Sequence, residues 1–198
     1  MGLELEYIEG QTPIDEDEKE GLRIRTISTR GELDEFEQKN IEKAIAWTIR
    51  KKFSVEEILS ENFILKVHKQ MFDVVWTWAG TMRKTNKNIG VDKFQISMEL
   101  RKVLDDCKFW IDHVVFSPDE IAIRFKHRLV KTHIFSNGNG RHSRLCADIL
   151  ISHRFNRPVF SWGNTSLSNK GDSRKRYLNA IYQADKGVYE SLIEFARS

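Results

Sequence analysis

The sequence has few cysteines, no long apolar run and little net charge, and each shortage argues against a class of protein. Only Cys107 and Cys146 occur among 198 residues, which predicts buried, reduced thiols in a cytoplasmic protein. No stretch approaches the roughly 18 apolar residues that a membrane span requires. The N-terminus lacks the basic and apolar regions of a secretory signal. The net charge of +3 permits phosphate binding without indicating a protein that coats nucleic acid.

The length of the chain predicts one domain with at most a small appendage. Residues 1–31 form an N-terminal leader in which Asp15, Glu16, Asp17 and Glu18 precede three arginines. The simpler interpretation of this leader is a solvated arm, and an inhibitory segment is the alternative. Residues 32–198 form the domain.

Apolar residues recur at helical spacing along most of the domain. The segment 145–151 is apolar except at Asp148, which predicts a helix buried on nearly all sides in the middle of a bundle. Residues 81–96 are instead rich in Asn, Lys and Gly and fit a small hairpin. Ser54, Ser97 and Ser117 are predicted N-caps. We therefore predict an all-α bundle with one small β-hairpin and with helices over about 32–51, 54–72, 97–115, 118–133, from 140 onward, 172–185 and 188–197.

The stretch from His133 to Arg144 carries the chemistry. Gly138 and Gly140 can expose backbone N–H groups at the start of a helix, where the helix dipole strengthens a nest for anions. Arg141 and Arg144 share one side of that helix, and guanidinium groups suit phosphate oxygens. A histidine beside such a nest can take a proton from a hydroxyl. This combination indicates phosphoryl or nucleotidyl transfer.

Each of these features also has a purely structural explanation. A glycine in a loop is often only a helix cap, and a histidine at a helix end often serves packing. A metal cluster of His127, His133 and His142 lacks an acidic or cysteine partner at ligand spacing. Two arginines in a first helical turn oppose the dipole, however, and this conflict calls for an anionic ligand.

The stretch resembles the signature of Fic domains, His-x-Phe-x-(Asp/Glu/Asn)-Gly-Asn-Gly-Arg-x-x-Arg. The positions that match it are His133, Phe135, Asn137, Gly138, Asn139, Gly140, Arg141 and Arg144. Trp78-Ala79-Gly80 with Arg83, and the region after Arg176-Tyr177, resemble the flanking motifs of the family, so that the likeness covers roughly residues 32–197. The chain also resembles mobile mystery protein B, a subgroup of short Fic proteins on bacterial mobile elements, which suggests a toxin-like protein.

The resemblance implies a Fic-type helical bundle that transfers AMP from ATP, with Mg²⁺, to a Ser, Thr or Tyr hydroxyl of a target protein. His133 would be the catalytic base, Asn137 the metal ligand and Tyr177 part of the adenine pocket, although simple core packing explains Tyr177 equally well. Gly138, Asn139 and Gly140 would hold the α- and β-phosphates, with Arg141 on the β- and Arg144 on the γ-phosphate. A flap would pair with an extended target segment, and it comprises Lys84, Thr85, Asn86, Lys87, Asn88, Ile89 and Gly90.

Two positions depart from the pattern of the family. Asn137 replaces the usual carboxylate, which predicts weaker metal binding and slower transfer. The nearest match to the family's inhibitory motif is Ser28 to Glu32, but Leu33 follows where Gly or Asn is expected. Inhibition by a separate, antitoxin-like partner is therefore the alternative.

Three other functions remain open from the sequence. The first is transfer of another group, including γ-phosphoryl transfer, and the second is a non-catalytic nucleotide-binding module. The third is nucleic-acid binding through the basic run Lys170, Arg174, Lys175 and Arg176. This last function is the weakest because the run lacks interleaved aromatic residues.

Overall fold

The computed structural model describes residues 13–164 and 172–198, and these residues form nine α-helices and no strand. The prediction of an all-α fold is confirmed. None of the described helices is long and apolar enough to cross a membrane. In chain order the helices are α1 (Glu16–Lys19), α2 (Arg30–Arg50), α3 (Val55–Ile58), α4 (Glu61–Phe72), α5 (Ile96–Asp112), α6 (Pro118–Thr132), α7 (Asn139–Phe155), α8 (Asp172–Asp185) and α9 (Glu190–Arg197).

Helix α7 lies in the middle of the bundle, as its sequence predicts. It packs against α3, α4 and α6. Between Leu145 and Ile151 every residue is buried except Asp148, whose carboxylate accepts hydrogen bonds from Phe160 N and Trp162 Nε1. Cys107 and Cys146 are buried free thiols. The start of this central helix carries the loop of interest.

Two helix boundaries differ from the prediction. The segment 54–72 forms two helices, because Leu59 leaves the helical conformation and the Ser60 hydroxyl accepts a hydrogen bond from Phe63 N and starts a new helix. Ser97 is not an N-cap. It lies inside α5, which a 3-10 turn over Lys93–Gln95 precedes, and the Asp92 side chain caps that turn.

The predicted β-hairpin of the flap is wrong. The guanidinium of Arg83 donates hydrogen bonds to the backbone oxygens of Thr85 and Val91, so that both arms of the loop close on one side chain. Asn86 adds bonds to Asp92 Oδ2 and from Lys93 N. These side chains satisfy backbone groups that a hairpin would pair across strands.

The described part of the leader packs onto the domain and is not a solvated arm. Ile14 and Ile27 are buried, and Leu22 forms an isolated antiparallel bridge with Trp76. The indole of Trp78 donates a hydrogen bond of 3.0 Å to the backbone oxygen of Glu18. Apolar side chains spaced along residues 14–27 supply the contacts that a purely charged arm would lack.

Candidate functional site

His133 ends α6 in a left-handed conformation, with φ 55° and ψ 62°. This conformation is uncommon for a residue with a Cβ, so its surroundings must hold it. The backbone N–H of His133 bonds to Leu129 O, and Arg83 Nε donates a bond of 2.6 Å to His133 O. Gly90 of the flap packs directly against the His133 Cβ. The histidine is therefore fixed from both its helix and the flap.

The residues after His133 form a loop that is held by its own side chains. Phe135 is buried and stacks on His68 with ring centroids 3.6 Å apart. Asn139 bonds to both backbone groups of Phe135, at 2.9 Å to the N–H and 2.7 Å to the oxygen. Both polar atoms of the Asn139 side chain are thus used to hold the loop.

His68 is a residue of the site that the sequence analysis missed. Its Nδ1 accepts a bond of 2.9 Å from Gly80 N, so its Nε2 carries the proton and donates a bond of 3.0 Å to Asn137 O. Burial lowers the pKa of His68 well below its usual value, and the ring stays neutral. A buried histidine on an apolar helix gives no sequence signal of this bridging role.

Gly138 and Gly140 are glycines for different structural reasons. Gly138 adopts φ +77°, and a Cβ there would lie 2.6 Å from the Phe72 ring. A Cβ on Gly140 would meet nothing within 4 Å, so the space above it is open. The first N–H groups of α7 have no acceptor within the helix. The open space at Gly140 therefore lies at a helix start whose N–H groups lack acceptors in the helix.

The two arginines of the motif have different surroundings. Arg141 Nη1 pairs with Glu37 at 2.5 Å, and Arg141 Nη2 lies 3.3 Å from Asn137 Oδ1. Arg144 lines the same cavity and makes no hydrogen bond or ion pair with any residue of the two described ranges. Burial lowers the pKa of Arg144, and the charges of Tyr177 and Asp148 oppose this shift without reversing it. Such a guanidinium is poised for an anionic ligand.

These groups share one cavity of about 480 Å³, within the range of small-molecule sites. The structure therefore brings together most of the predicted site residues. The cavity is lined by His133, Asn137, Gly138, Asn139, Gly140, Arg141, Arg144 and Tyr177, by Ile89 and Gly90 of the flap, and by Arg30 and Asp34 of α2.

Tyr177 both lines the cavity and packs within the fold. Lys126 is fully buried and donates a bond of 2.5 Å to the Tyr177 hydroxyl, with its ammonium 4.6 Å from the ring centroid. Burial raises the pKa of Tyr177, but the charges of Lys126 and Arg144 outweigh it and the net shift is downward. Lys126 thus places a positive charge beside Tyr177, and this contact was not anticipated from the sequence.

Five of the seven flap residues lie outside the cavity lining: Lys84, Thr85, Asn86, Lys87 and Asn88. The flap instead contacts the leader. Lys87 Nζ pairs with Asp15 at 2.7 Å and with Glu18 at 2.5 Å, and the Thr85 hydroxyl bonds to Asp15 at 2.9 Å.

Ser28 and Glu32 do not reach the arginines. The Glu32 carboxylate accepts hydrogen bonds from Ser28 N at 2.9 Å and Thr29 N at 3.0 Å, which closes a capping box at the start of α2. These hydrogen bonds lower the pKa of Glu32, and the bond from the Ser28 backbone has the largest effect. In this structure Glu32 therefore caps a helix, and an inhibitory role for Ser28 and Glu32 stays a prediction.

Burial also sets the protonation state of His133. It lowers the pKa of the ring to about 4, and the nearby charge of Arg83 lowers it further. A hydrogen bond to the Val130 backbone opposes the shift without reversing it. His133 is consequently neutral at neutral pH and can accept a proton.

Comparison with known proteins gives the family. Residues 58–151 match the model of the Fic/DOC family. BepC of Bartonella tribocorum, solved with bound AMPPNP, has a TM-score of 0.69 at 15% identity over 92% of this chain and 97% of that chain. Residues 58–151 therefore form a segment of the Fic/DOC family. This Fic segment contains His133, the loop and both arginines, whereas Glu37 and Tyr177 lie outside the matched residues.

Two further structures share the Fic fold. A Fic domain from Bartonella quintana, solved with bound ADP, has a TM-score of 0.66 at 16% identity over 86% of each chain. Fic-1 from C. elegans has a TM-score of 0.62 at 21% identity over 80% of this chain and 46% of that chain, so this chain spans about half of its length. No curated protein sequence matches this chain at a significant level.

Proposed function

We propose that this protein transfers AMP from ATP to a Ser, Thr or Tyr hydroxyl of a target protein. The observation that carries the proposal is Arg144, a half-buried guanidinium that lines the cavity and pairs with no carboxylate of the described residues. Partial burial of a charge without a counter-charge is unfavourable, and a phosphate would supply the missing counter-charge. The nucleotide-bound Bartonella relatives support a nucleotide as that ligand.

In the proposed reaction His133 takes the proton of the target hydroxyl. The hydroxyl oxygen then attacks the α-phosphorus of ATP, the bond from the α-phosphorus to the bridging oxygen breaks, and pyrophosphate leaves. The low pKa of about 4 keeps the imidazole in its proton-accepting form. Arg83 contributes by fixing the His133 backbone through the bond to its carbonyl.

Negative charge on the phosphates would be neutralised by the start of α7 and by the arginines. The N–H groups above the open face of Gly140 hold the α- and β-phosphates, Arg141 holds the β-phosphate and Arg144 the γ-phosphate. Tyr177 and its neighbours on α8 line the same cavity and would take the adenine. The phosphate donors are fixed before the nucleotide binds, so they stabilise the charge of the transition state without reorganising, which lowers the activation free energy.

The loop could bind Mg²⁺ only if the nucleotide supplied most of the ligands of the metal. The described residues contain no group of three His, Cys, Asp or Glu side chains that could hold a metal. The Asn137 amide oxygen is the one predicted ligand, and it already accepts hydrogen bonds from Gly138 N and Arg141 Nη2. When bound, the cation would neutralise phosphate charge.

Replacing Asn137 by Asp is expected to raise the transfer rate and lower the Mg²⁺ concentration that gives half-maximal activity. The carboxylate adds a charge and a second oxygen, and hard cations prefer carboxylates to amides. Steady-state rates across a Mg²⁺ titration measure both effects, with Asn156→Asp on a distant loop as the matched control. Equal Mg²⁺ dependence in the variant and the wild type would contradict a role of Asn137 as a metal ligand.

ATP labelled separately at the α- and γ-phosphates tests the proposed reaction. Incubation of the protein with a host lysate should transfer the α-label to protein and release the γ-label as pyrophosphate. Label from the γ-phosphate on protein would indicate phosphoryl transfer instead. Absence of both labels, with ATP binding retained, would indicate a nucleotide-binding module. Mass spectrometry of the labelled lysate would then identify the target and the modified residue.

We further propose that the leader restrains the flap and so limits docking of a target segment. Neutralising both carboxylates that hold Lys87, in Asp15→Asn with Glu18→Gln, should speed amide hydrogen exchange in residues 84–90, because these charge-assisted bonds are lost. The matched control is Asp17→Asn with Glu20→Gln, which changes the same charge on exposed residues of the same segment. Equal exchange in both double variants would contradict the restraint.

A further inference from the structure

The buried carboxylate of Glu37 is a titratable group that the proposed reaction does not use. Glu37 lies on α2, and only 2% of its surface is exposed. Its Oε1 accepts a bond of 2.6 Å from Trp76 Nε1, and its Oε2 pairs with Arg141 Nη1 at 2.5 Å. Glu37 and Arg141 are 104 residues apart in the chain. A buried charge is tolerated only with such partners, so the contact is specific.

The guanidinium of Arg141 is held from three directions. Glu37 takes Nη1, Asn137 Oδ1 lies 3.3 Å from Nη2, and the Phe72 ring centroid lies 5.0 Å from Cζ. A guanidinium has five N–H donors, so these contacts leave donors available for a ligand. Because the Trp76 indole holds the other oxygen of Glu37, the carboxylate cannot follow Arg141 if the arginine moves.

We propose that Glu37 is a positioning residue that fixes Arg141 for the β-phosphate of the nucleotide. The inference rests on the proposed function, in which Arg141 binds that phosphate. A long arginine side chain loses rotamer freedom when it binds a ligand, and this loss weakens affinity. Glu37 fixes the guanidinium before the ligand binds, so the rotamer freedom of Arg141 is already lost in the folded protein. Helix α2, outside the matched Fic segment, thereby completes the phosphate site.

The alternative is that Glu37 competes with phosphate for Arg141 and inhibits binding. The two roles predict opposite results for Glu37→Gln, which keeps the shape and an acceptor for Trp76 but removes the charge. A positioning role predicts that ADP binds about tenfold more weakly, the scale of one charged hydrogen bond, and that AMP is unaffected. A competing role predicts tighter binding of ADP.

Calorimetric titration of the full chain with ADP and with AMP makes the test. The matched control is Glu35→Gln, an exposed residue of the same helix, which should leave both affinities at the wild-type value. In an Arg141→Ala background, Glu37→Gln should not change the ratio of the ADP and AMP affinities further, because the residue acts through that arginine. If Glu37→Gln fails to fold, Glu37→Asp is the substitute, since it retains the charge on a shorter side chain. It should weaken ADP binding by less than the tenfold expected for Glu37→Gln.

Three outcomes would overturn the inference. ADP affinity that is unchanged or increased in Glu37→Gln contradicts positioning. Equal losses for ADP and AMP indicate a general structural role, as does a further change of the ratio in the Arg141→Ala background. A wild-type protein that binds neither nucleotide refutes the proposed function itself, and the inference with it, so that the two failures are told apart by the wild-type titration.

Discussion

Replacing His133 by alanine is expected to lower the rate of AMP transfer by about 10²–10⁴-fold, the usual contribution of a general base. Nucleotide affinity should stay near the wild-type value, because the phosphate donors belong to the start of α7 and to Arg141 and Arg144. Single-turnover labelling with ATP labelled at the α-phosphate measures the rate, and calorimetry measures the affinity. His113→Ala, an exposed histidine at the end of α5, is the matched control.

The pH dependence gives a second measurement for the same residue. A general base works in its neutral form, and protonation stops it. Because burial lowers the pKa of His133 to about 4, the neutral form predominates throughout the range from about pH 5 to 7. We expect kcat/KM to be flat across that range. A fall by half near pH 6.5 would mean that His133 titrates as an ordinary histidine or is not the base.

Replacing Arg144 by alanine is expected to weaken ATP binding by about 1.5–3 kcal/mol, or roughly 10- to 150-fold, the scale of a hydrogen bond to a charged group. AMP lacks the distal phosphates, so its affinity should change little. Calorimetry with both nucleotides makes the comparison. Arg154→Ala removes an exposed arginine from the last turn of the same helix and is the matched control. Equal losses for ATP and AMP would place Arg144 elsewhere on the ligand.

The sequence predicted the loop and its helices because their determinants are local. Gly138 needs a positive φ, Asn139 bonds to Phe135 four residues away, and the arginines are three residues apart on one helix. Helix caps such as Ser117 also act within one turn. The nearly continuous apolar segment 145–151 likewise predicted the central position of α7. Interactions of this range can be interpreted from neighbouring residues alone.

The errors arose where a side chain acts across a long sequence separation or takes the place of backbone pairing. The flap has the composition of a hairpin, but Arg83 takes the backbone oxygens that strands would share and also binds His133 O, 50 residues away. The leader has the charge pattern of a solvated arm, but Lys87 supplies the partner for its carboxylates. Lys87 is not visible from the leader that it binds, and the composition of the flap does not reveal that Arg83 replaces its strand pairing.

The sequence by itself determined a helical protein with a histidine beside a glycine-rich helix start, since glycine conformation, helix periodicity and capping are properties of short segments. Only the tertiary structure decided which charges meet. It pairs Glu37 with Arg141 and Lys126 with Tyr177, and it leaves Arg144 with no hydrogen bond or ion pair among the residues that the structure describes. Electrostatic pairing depends on distances between helices that are far apart in the chain, and those distances follow from packing of the whole core.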